Sequence, residues 1–326
     1  MRRSSICFWR QPLGALLSTW FLLGPGVVST PTARASIGIA PGVRRILVLG
    51  DSITYGGRYV DYLETYLRLR MPARKVEILN LGLPSETVSG LSEPGHAKGK
   101  FPRPNLHERL GRVLSAWKPD LVVACYGMND GIYQPLSKER FGRFRAGIER
   151  LRSKVAAAGA AILHVTPPVF DEVGAAPAAA GYDEVLRRYA RWLISQRAAG
   201  WDVVDVHEPM RRLLANQRSE DASFRLAPDG IHPEATGHWL MARAILLHWG
   251  AQDLDGAERP DDMLLLHPRG RAVWTLVSER QALLKDAWLT TIGHLRPGMK
   301  PGLPLAEAQT HAVALENRVE AILAHP

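Results

Sequence analysis

The sequence predicts an α/β fold: a three-layer α/β/α sandwich with a five-stranded parallel sheet, followed by a C-terminal helical extension. Three observations lead there. Five short apolar runs alternate with segments of helical spacing, and such alternation implies a parallel sheet with helices on both faces. The alternation stops near residue 250, and helical spacing alone continues. The residues of chemical interest fall just after the apolar runs or in the last loop. Right-handed crossovers bring the carboxyl ends of such strands to one edge, where open α/β sheets bind ligands.

The first strand is expected at 45–50. It stops abruptly at Gly50-Asp51-Ser52, which delivers one serine to the sheet edge. Residues 59–70 have helical spacing (Val60, Leu63, Tyr66 or Leu67), and 75–80 form the second strand. A loop rich in Gly, Pro, Ser and His spans 81–105. A helix at 106–117 aligns Leu106, Leu110, Val113, Leu114 and Trp117. The third strand, 120–125, ends in Tyr126-Gly127-Met128-Asn129-Asp130-Gly131. A long helix follows at 138–158, then a fourth strand at 160–166, halted by Pro167-Pro168. Helix 182–199, strand 203–206, a short helix at 208–215, a loop at 219–233 and helix 235–249 complete the sandwich. Beyond it, helices at 272–293 and 305–324 flank a Pro/Gly-rich turn at 296–304. They read as a hairpin docked on the body through Val273, Trp274, Leu276, Leu283, Leu284 and Trp288.

The domain reading is therefore 1–35 export signal, 36–250 sandwich, 251–326 hairpin. The signal rests on Arg2, Arg3 and Arg10, an apolar stretch broken by Gly24, Pro25 and Gly26, and small residues at Ala33 and Ala35. Only 13–23 is uninterrupted, short of the roughly 20 residues a spanning helix needs. Stable membrane insertion is not expected, and cleavage near Ala35 would send the protein to the periplasm or outside the cell. The formal charge of the 326-residue chain is +9. Residues 1–35 carry four arginines and no acid, so removing them leaves +5. The remaining basic residues are scattered without interleaved aromatics, which argues against nucleic acid. Cys125 is the one cysteine beyond the signal. No internal disulfide is then expected, and at the end of an apolar run it reads as a small buried hydrophobe. No zinc-ligand spacing or phosphate-binding glycine loop is present, so neither metal nor cofactor is expected.

A serine hydroxyl is a weak nucleophile without a base and oxyanion donors. The chain offers Asp229-Gly230-Ile231-His232-Pro233 late and Asn129 in the middle. An imidazole can take the serine proton while a carboxylate holds its tautomer. Asp229 and His232 share one short turn, so one loop can bring both to the sheet edge. The Asn129 amide can donate to a developing oxyanion.

On Gly50-Asp51-Ser52, Gly127-Met128-Asn129-Asp130 and Asp229-Gly230-Ile231-His232-Pro233, the chain resembles the GDSL, or SGNH, hydrolase superfamily of serine esterases and lipases. The resemblance covers about residues 45–249. It implies a flavodoxin-like sandwich with Ser52 as nucleophile, His232 as general base then acid, and Asp229 as orienting carboxylate. It implies oxyanion donors from the Ser52 N–H, the Asn129 side chain and a backbone N–H of a second block. That block departs from the pattern: where the family has glycine, a few residues after Asn80, this chain has Ser85. The Ser85 N–H is favoured as donor, since a backbone amide needs no glycine unless its φ is positive. Gly82 is the fallback.

The resemblance, with an export signal and no long apolar lid segment, points to an esterase that removes short acyl groups, acetyl above all, from carbohydrate. The partner is then a small-molecule or polysaccharide ester. In the loop after strand two, Glu86, His96, Lys98, Lys100, Arg103 and His107 are candidates for sugar contact. The alternatives are a lipase, lysophospholipase or thioesterase of the same fold, and a non-catalytic polysaccharide-binding protein.

Overall fold

Strand β1 (Arg45–Gly50) is apolar from Ile46 to Leu49 because both its faces are covered, and none of these four side chains meets solvent. The computed structural model describes residues 39–175 and 179–325. The export signal expected at 1–35 lies outside them. Strands β2 (Glu77–Asn80), β3 (Leu121–Cys125), β4 (Ala161–Val165) and β5 (Asp202–Val204) complete one sheet in the order β2-β1-β3-β4-β5. Every neighbouring pair is parallel.

From β1 the chain moves outward to β2, then returns across β1 to β3. The connections leaving β1 and β3 therefore diverge, and a crevice opens at the carboxyl ends of these two strands. Ser52 follows β1 and Asn129 follows β3, so the topology alone puts both at that crevice.

Ser52 opens a single helical turn, α1 (Ser52–Gly56), capped by the Asp51 carboxylate, which accepts from the Ile53 N–H at 3.0 Å. Helix α2 (Arg58–Arg70) follows. A long loop after β2 leads to α3 (Leu106–Trp117), capped by Asn105. Helices α4 (Lys138–Ala157), α5 (Tyr182–Ser195), α6 (His207–Glu220) and α7 (Ala235–His248) complete the two outer layers.

Several elements differ from the sequence expectation: β2 begins at Glu77 rather than 75, and α5 ends at Ser195 rather than 199. Strand β5 ends at Val204 rather than 206, because the Asp205 carboxylate accepts from the N–H groups of His207 and Glu208 and starts α6 early. Helix α6 then runs to Glu220 instead of ending at 215. The added residues, 216–220, carry no apolar side chain. They are held by Arg218, which donates to the Phe224 carbonyl at 3.0 Å and pairs with Asp171.

After a short turn of helix, α8 (Pro260–Leu264), come α9 (Gly270–Ile292) and α10 (Leu305–Ala324). Helix α9 buries Val273, Leu276, Val277, Trp288 and Leu289. Trp288 meets Trp117 of α3 edge to face, with ring centres 5.4 Å apart. The polar anchor is Glu64 of α2, fully buried, which accepts from Arg280 at 2.9 Å, from Arg68 at 3.3 Å and from Gln281. Gln281 also donates to the Ile78 carbonyl of β2 at 2.9 Å. Arg112 of α3 donates to the Ile292 and Gly293 carbonyls at the end of α9. Just past that end, the Arg296 guanidinium lies 5.3 Å from the Phe101 ring in the loop after β2.

Candidate active site

Asp229 has one carboxylate oxygen for each of two tasks. Its Oδ1 accepts from the Ile231 N–H at 2.9 Å and the His232 N–H at 2.8 Å, which folds the turn. Its Oδ2 lies 2.6 Å from His232 Nδ1. A carboxylate accepts, so Nδ1 carries a proton, and in the neutral imidazole Nε2 is then bare. That bare nitrogen lies 2.7 Å from Ser52 Oγ, within reach of its hydroxyl proton. Burial raises the Asp229 pKa, but hydrogen bonds from the His232 N–H, the imidazole and the Ile231 N–H outweigh it, and the carboxyl ends below its ordinary range.

The turn is fixed from behind by a residue the sequence reading did not single out. Asp171, after β4, accepts from the N–H groups of Leu226 and Ala227 through Oδ2, and its own N–H donates to the Gly230 carbonyl at 2.8 Å. Gly230 has φ +84°, and a Cβ there would lie 2.7 Å from the Ala175 Cβ. Only glycine fits that corner. The single available signal for Asp171 was an acidic residue just past a strand end.

Ser52, His232 and Asp229 thus come together from the first strand and the last loop. The His232 and Asp229 side chains remain 47% and 55% exposed, so the dyad stands open to solvent. An open pocket of about 460 Å³ lies beyond the residues that follow His232 in sequence, lined by Gly56, Arg58, Pro233, Glu234, Ala235 and His238 and by none of Ser52, His232 and Asp229.

The other two donors belong to the loops after β2 and β3. Asn80 ends β2; its Nδ2 donates to the Thr54 carbonyl at 2.6 Å and its Oδ1 accepts the Gly82 N–H at 2.9 Å. The Gly82 N–H is therefore already used. Gly82 is glycine for another reason, since a Cβ there would lie 2.4 Å from the Tyr55 nitrogen. Ser85 has φ +68°. The expectation that this amide could do without glycine assumed an ordinary φ, and that premise is corrected: the backbone is left-handed, and a serine occupies it. Among the described residues, no backbone carbonyl accepts the Ser85 N–H. Next to it, Glu86 accepts the Asn129 Nδ2 at its carbonyl, at 3.3 Å.

Two of the six candidates for sugar contact are committed inside the protein. Glu86 is fully buried, paired with Arg109 through two 2.7 Å contacts and accepting from the Tyr126 hydroxyl at 2.7 Å. Arg103 is buried between Glu93 and Asn129. His107 contacts the Gly147 carbonyl, and burial pushes its imidazole down to about 4. Lys98 and Lys100 are exposed. Under the site, burial raises Asp51 to about 7 and Asp130 to about 6. Cys125 is buried, and burial pushes its thiol well up, as for an inert thiol.

Residues 48–240 match the GDSL-like lipase/acylhydrolase family. The chain belongs to that family. As a member it is a carboxylic-ester hydrolase, and its match takes in Ser52, Ser85, Asn129, Asp229 and His232. No curated protein matches its sequence. Solved structures similar to it include a catalytic mutant of Axe2, an acetylxylan esterase from Geobacillus stearothermophilus. That likeness has 23% identity and a TM-score of 0.51, covering 65% of this chain and 96% of the other. A gut microbial diltiazem-metabolizing enzyme is similar at 22% identity and TM-score 0.50, over 66% of this chain. This chain covers about half, 49%, of that enzyme's length. At such identities the likeness speaks to the fold. Among the described residues, no helix is long and apolar enough to cross a membrane.

Proposed function

We propose that this hydrolase is an exported serine esterase that removes short acyl groups, acetyl above all, from carbohydrate through an acyl-serine intermediate. The observation that carries the proposal is the relay from Asp229 Oδ2 through His232 to Ser52 Oγ, with contacts of 2.6 and 2.7 Å.

In this reading His232 Nε2 takes the Ser52 proton as Oγ attacks the ester carbonyl. The negative charge that develops on the carbonyl oxygen is met by the Ser52 and Ser85 N–H groups and the free hydrogen of Asn129 Nδ2. One such donor is worth about 3 kcal/mol of barrier. The imidazolium then gives its proton to the leaving alkoxide, the C–O bond breaks, and an acyl-serine remains. Water, deprotonated by the same nitrogen, attacks the acyl carbon and restores Ser52. Because His232 protonates the leaving group, the alcohol must lie on the His232 side of the site. The nearby pocket that begins at Pro233, the next residue after His232, has polar lining in Arg58, Glu234 and His238, which suits a sugar better than an alkyl chain. The open site also suits a polymer, and Axe2, similar in fold, is an acetylxylan esterase.

Hydrolysis of p-nitrophenyl esters from acetyl to palmitoyl, beside a Ser52→Ala control, tests this. Ser52-dependent turnover that peaks at acetyl is expected. A peak at long chains would make the protein a lipase. Absence of Ser52-dependent turnover on every ester would sink the catalytic reading and favour a polysaccharide-binding protein.

A further inference from the structure

The side-chain amide of asparagine is almost symmetric in shape but not in chemistry. A half-turn about its last bond exchanges two donor hydrogens for an acceptor oxygen. An Asn129 turned the wrong way would face a developing oxyanion with its own oxygen and oppose the reaction. Something must hold the orientation, and the surroundings of Asn129 specify it at both ends.

Its Oδ1 receives the Arg103 Nη1 at 2.8 Å and the Tyr133 hydroxyl at 3.1 Å. Its Nδ2 faces the Glu86 carbonyl at 3.3 Å. A guanidinium has no acceptor and a backbone carbonyl has no donor. The flipped amide would set N–H against N–H at one end and oxygen against oxygen at the other. With one Nδ2 hydrogen on Glu86, the second remains for substrate.

Arg103 is itself fixed. Its Nε and Nη2 donate to the two carboxylate oxygens of Glu93, each at 2.7 Å, and its guanidinium lies 5.2 Å from the Tyr133 ring centre. The side chain is 6% exposed, and three of its nitrogens are engaged. It is therefore not a substrate contact.

We propose that Arg103 is a positioning residue for ester hydrolysis, locking the Asn129 amide with its nitrogen toward the oxyanion. Its positive charge also polarises the amide, which makes the remaining Nδ2 hydrogen a better donor. The proposal rests on the reading of Asn129 as an oxyanion donor. Arg103 is carried by the same loop as Ser85, so one loop supplies one donor and the lock for another.

The test is a double-mutant cycle on the full chain with p-nitrophenyl acetate, using Arg103→Met, Arg103→Lys, Asn129→Ala and the double variant Arg103→Met/Asn129→Ala. Arg103→Met is expected to lower kcat by about 10- to 100-fold, with KM within about threefold. Arg103→Lys, which still donates and cannot accept, should recover most of that loss. The double variant should be no slower than Asn129→Ala alone. If Arg103→Met fails to fold, Arg103→Lys takes its place in the cycle, and its residual loss must vanish when Asn129 is alanine. A slow Asn129→Ala with an unimpaired Arg103→Met, or with losses that multiply in the double variant, overturns the role of Arg103 alone. A fully active Asn129→Ala overturns the reading of Asn129 and this proposal with it.

Discussion

Ser85 occupies a left-handed backbone corner at φ +68°, and replacing it with glycine separates its amide from its side chain. For a residue with a Cβ, that conformation costs about 1–2 kcal/mol. Glycine removes this cost but loses about 0.5–1 kcal/mol more through backbone entropy on folding. The net expectation for Ser85→Gly runs from neutral to about 1.5 kcal/mol of added stability. At roughly 2–4 °C per kcal/mol for a domain of 150–250 residues, the melting temperature should rise by at most about 6 °C. The N–H remains, so kcat on p-nitrophenyl acetate should stay within about twofold of the parent, because the donor worth about 3 kcal/mol is unchanged. Ser85→Ala should match the parent in both respects, since it keeps both the amide and the strain. The assay is steady-state kinetics beside thermal unfolding of the two variants. If both lose more than tenfold in kcat while staying folded, the hydroxyl does the work and the assignment of the amide is refuted. Gly82 offers no comparable contrast: a Cβ there would meet the Tyr55 nitrogen at 2.4 Å, so even alanine should disrupt the turn.

Four further outcomes are expected. Asp229→Asn presents an amide to His232, admits the wrong tautomer and should lower kcat by about 10⁴-fold with little change in fold, as kinetics and circular dichroism would report. Gly230→Ala forces a Cβ against Ala175 at 2.7 Å; the displaced His232 should cost about 100-fold in kcat, and a parent-like rate would show that the turn tolerates the shift. Asp51 is raised from 3.8 to about 7 by burial, so the native protein holds a proton that the unfolded chain has already lost. Its destabilising effect therefore grows as pH rises from about 4 to 7 and is constant above. The gain in melting temperature of Asp51→Asn over the parent should grow through the same window, and a pH-independent difference would contradict it. Glu64→Ala leaves Arg68 and Arg280 with Glu316 as their remaining carboxylate partner and Gln281 with the Ile78 carbonyl. Losing these charge-assisted hydrogen bonds costs about 1.5–3 kcal/mol, a drop in melting temperature of roughly 3–12 °C by scanning calorimetry.

The sheet was legible because strands buried on both faces must be apolar throughout, and the five runs have no other use. Ser52, Asn129, Asp229 and His232 were legible because each follows a strand end or belongs to the last loop, and the topology gathers those places. The left-handed conformation of Ser85 was not legible, since a serine with positive φ leaves no mark in the sequence. Asp171 and Glu64 were not legible, and Arg103 was singled out only as a candidate for sugar contact, whereas it is buried between Glu93 and Asn129. Asp171 reaches Leu226 across 55 residues and Arg280 reaches Glu64 across 216, and single polar contacts at such range have no periodicity to betray them. The length of α6 was missed because its residues 216–220, held by Arg218 to a loop carbonyl, carry no apolar side chain.

The docking of α9 has a consequence for how the chain can be cut. A strand at the rim of a sheet is an open template on which another chain can add itself, the first step toward aggregation. Strand β2 is such a rim, and α9 covers it, with the Gln281 amide occupying the Ile78 carbonyl. The family match ends at residue 240, well before α9 begins at Gly270. A fragment trimmed to the shared region would keep Ser52 and His232 but lose the first half of β1, bare the rim of the sheet and leave Glu64 with Arg68 as its partner. The region matched to the family thus leaves out the helix that closes the rim of its own sheet.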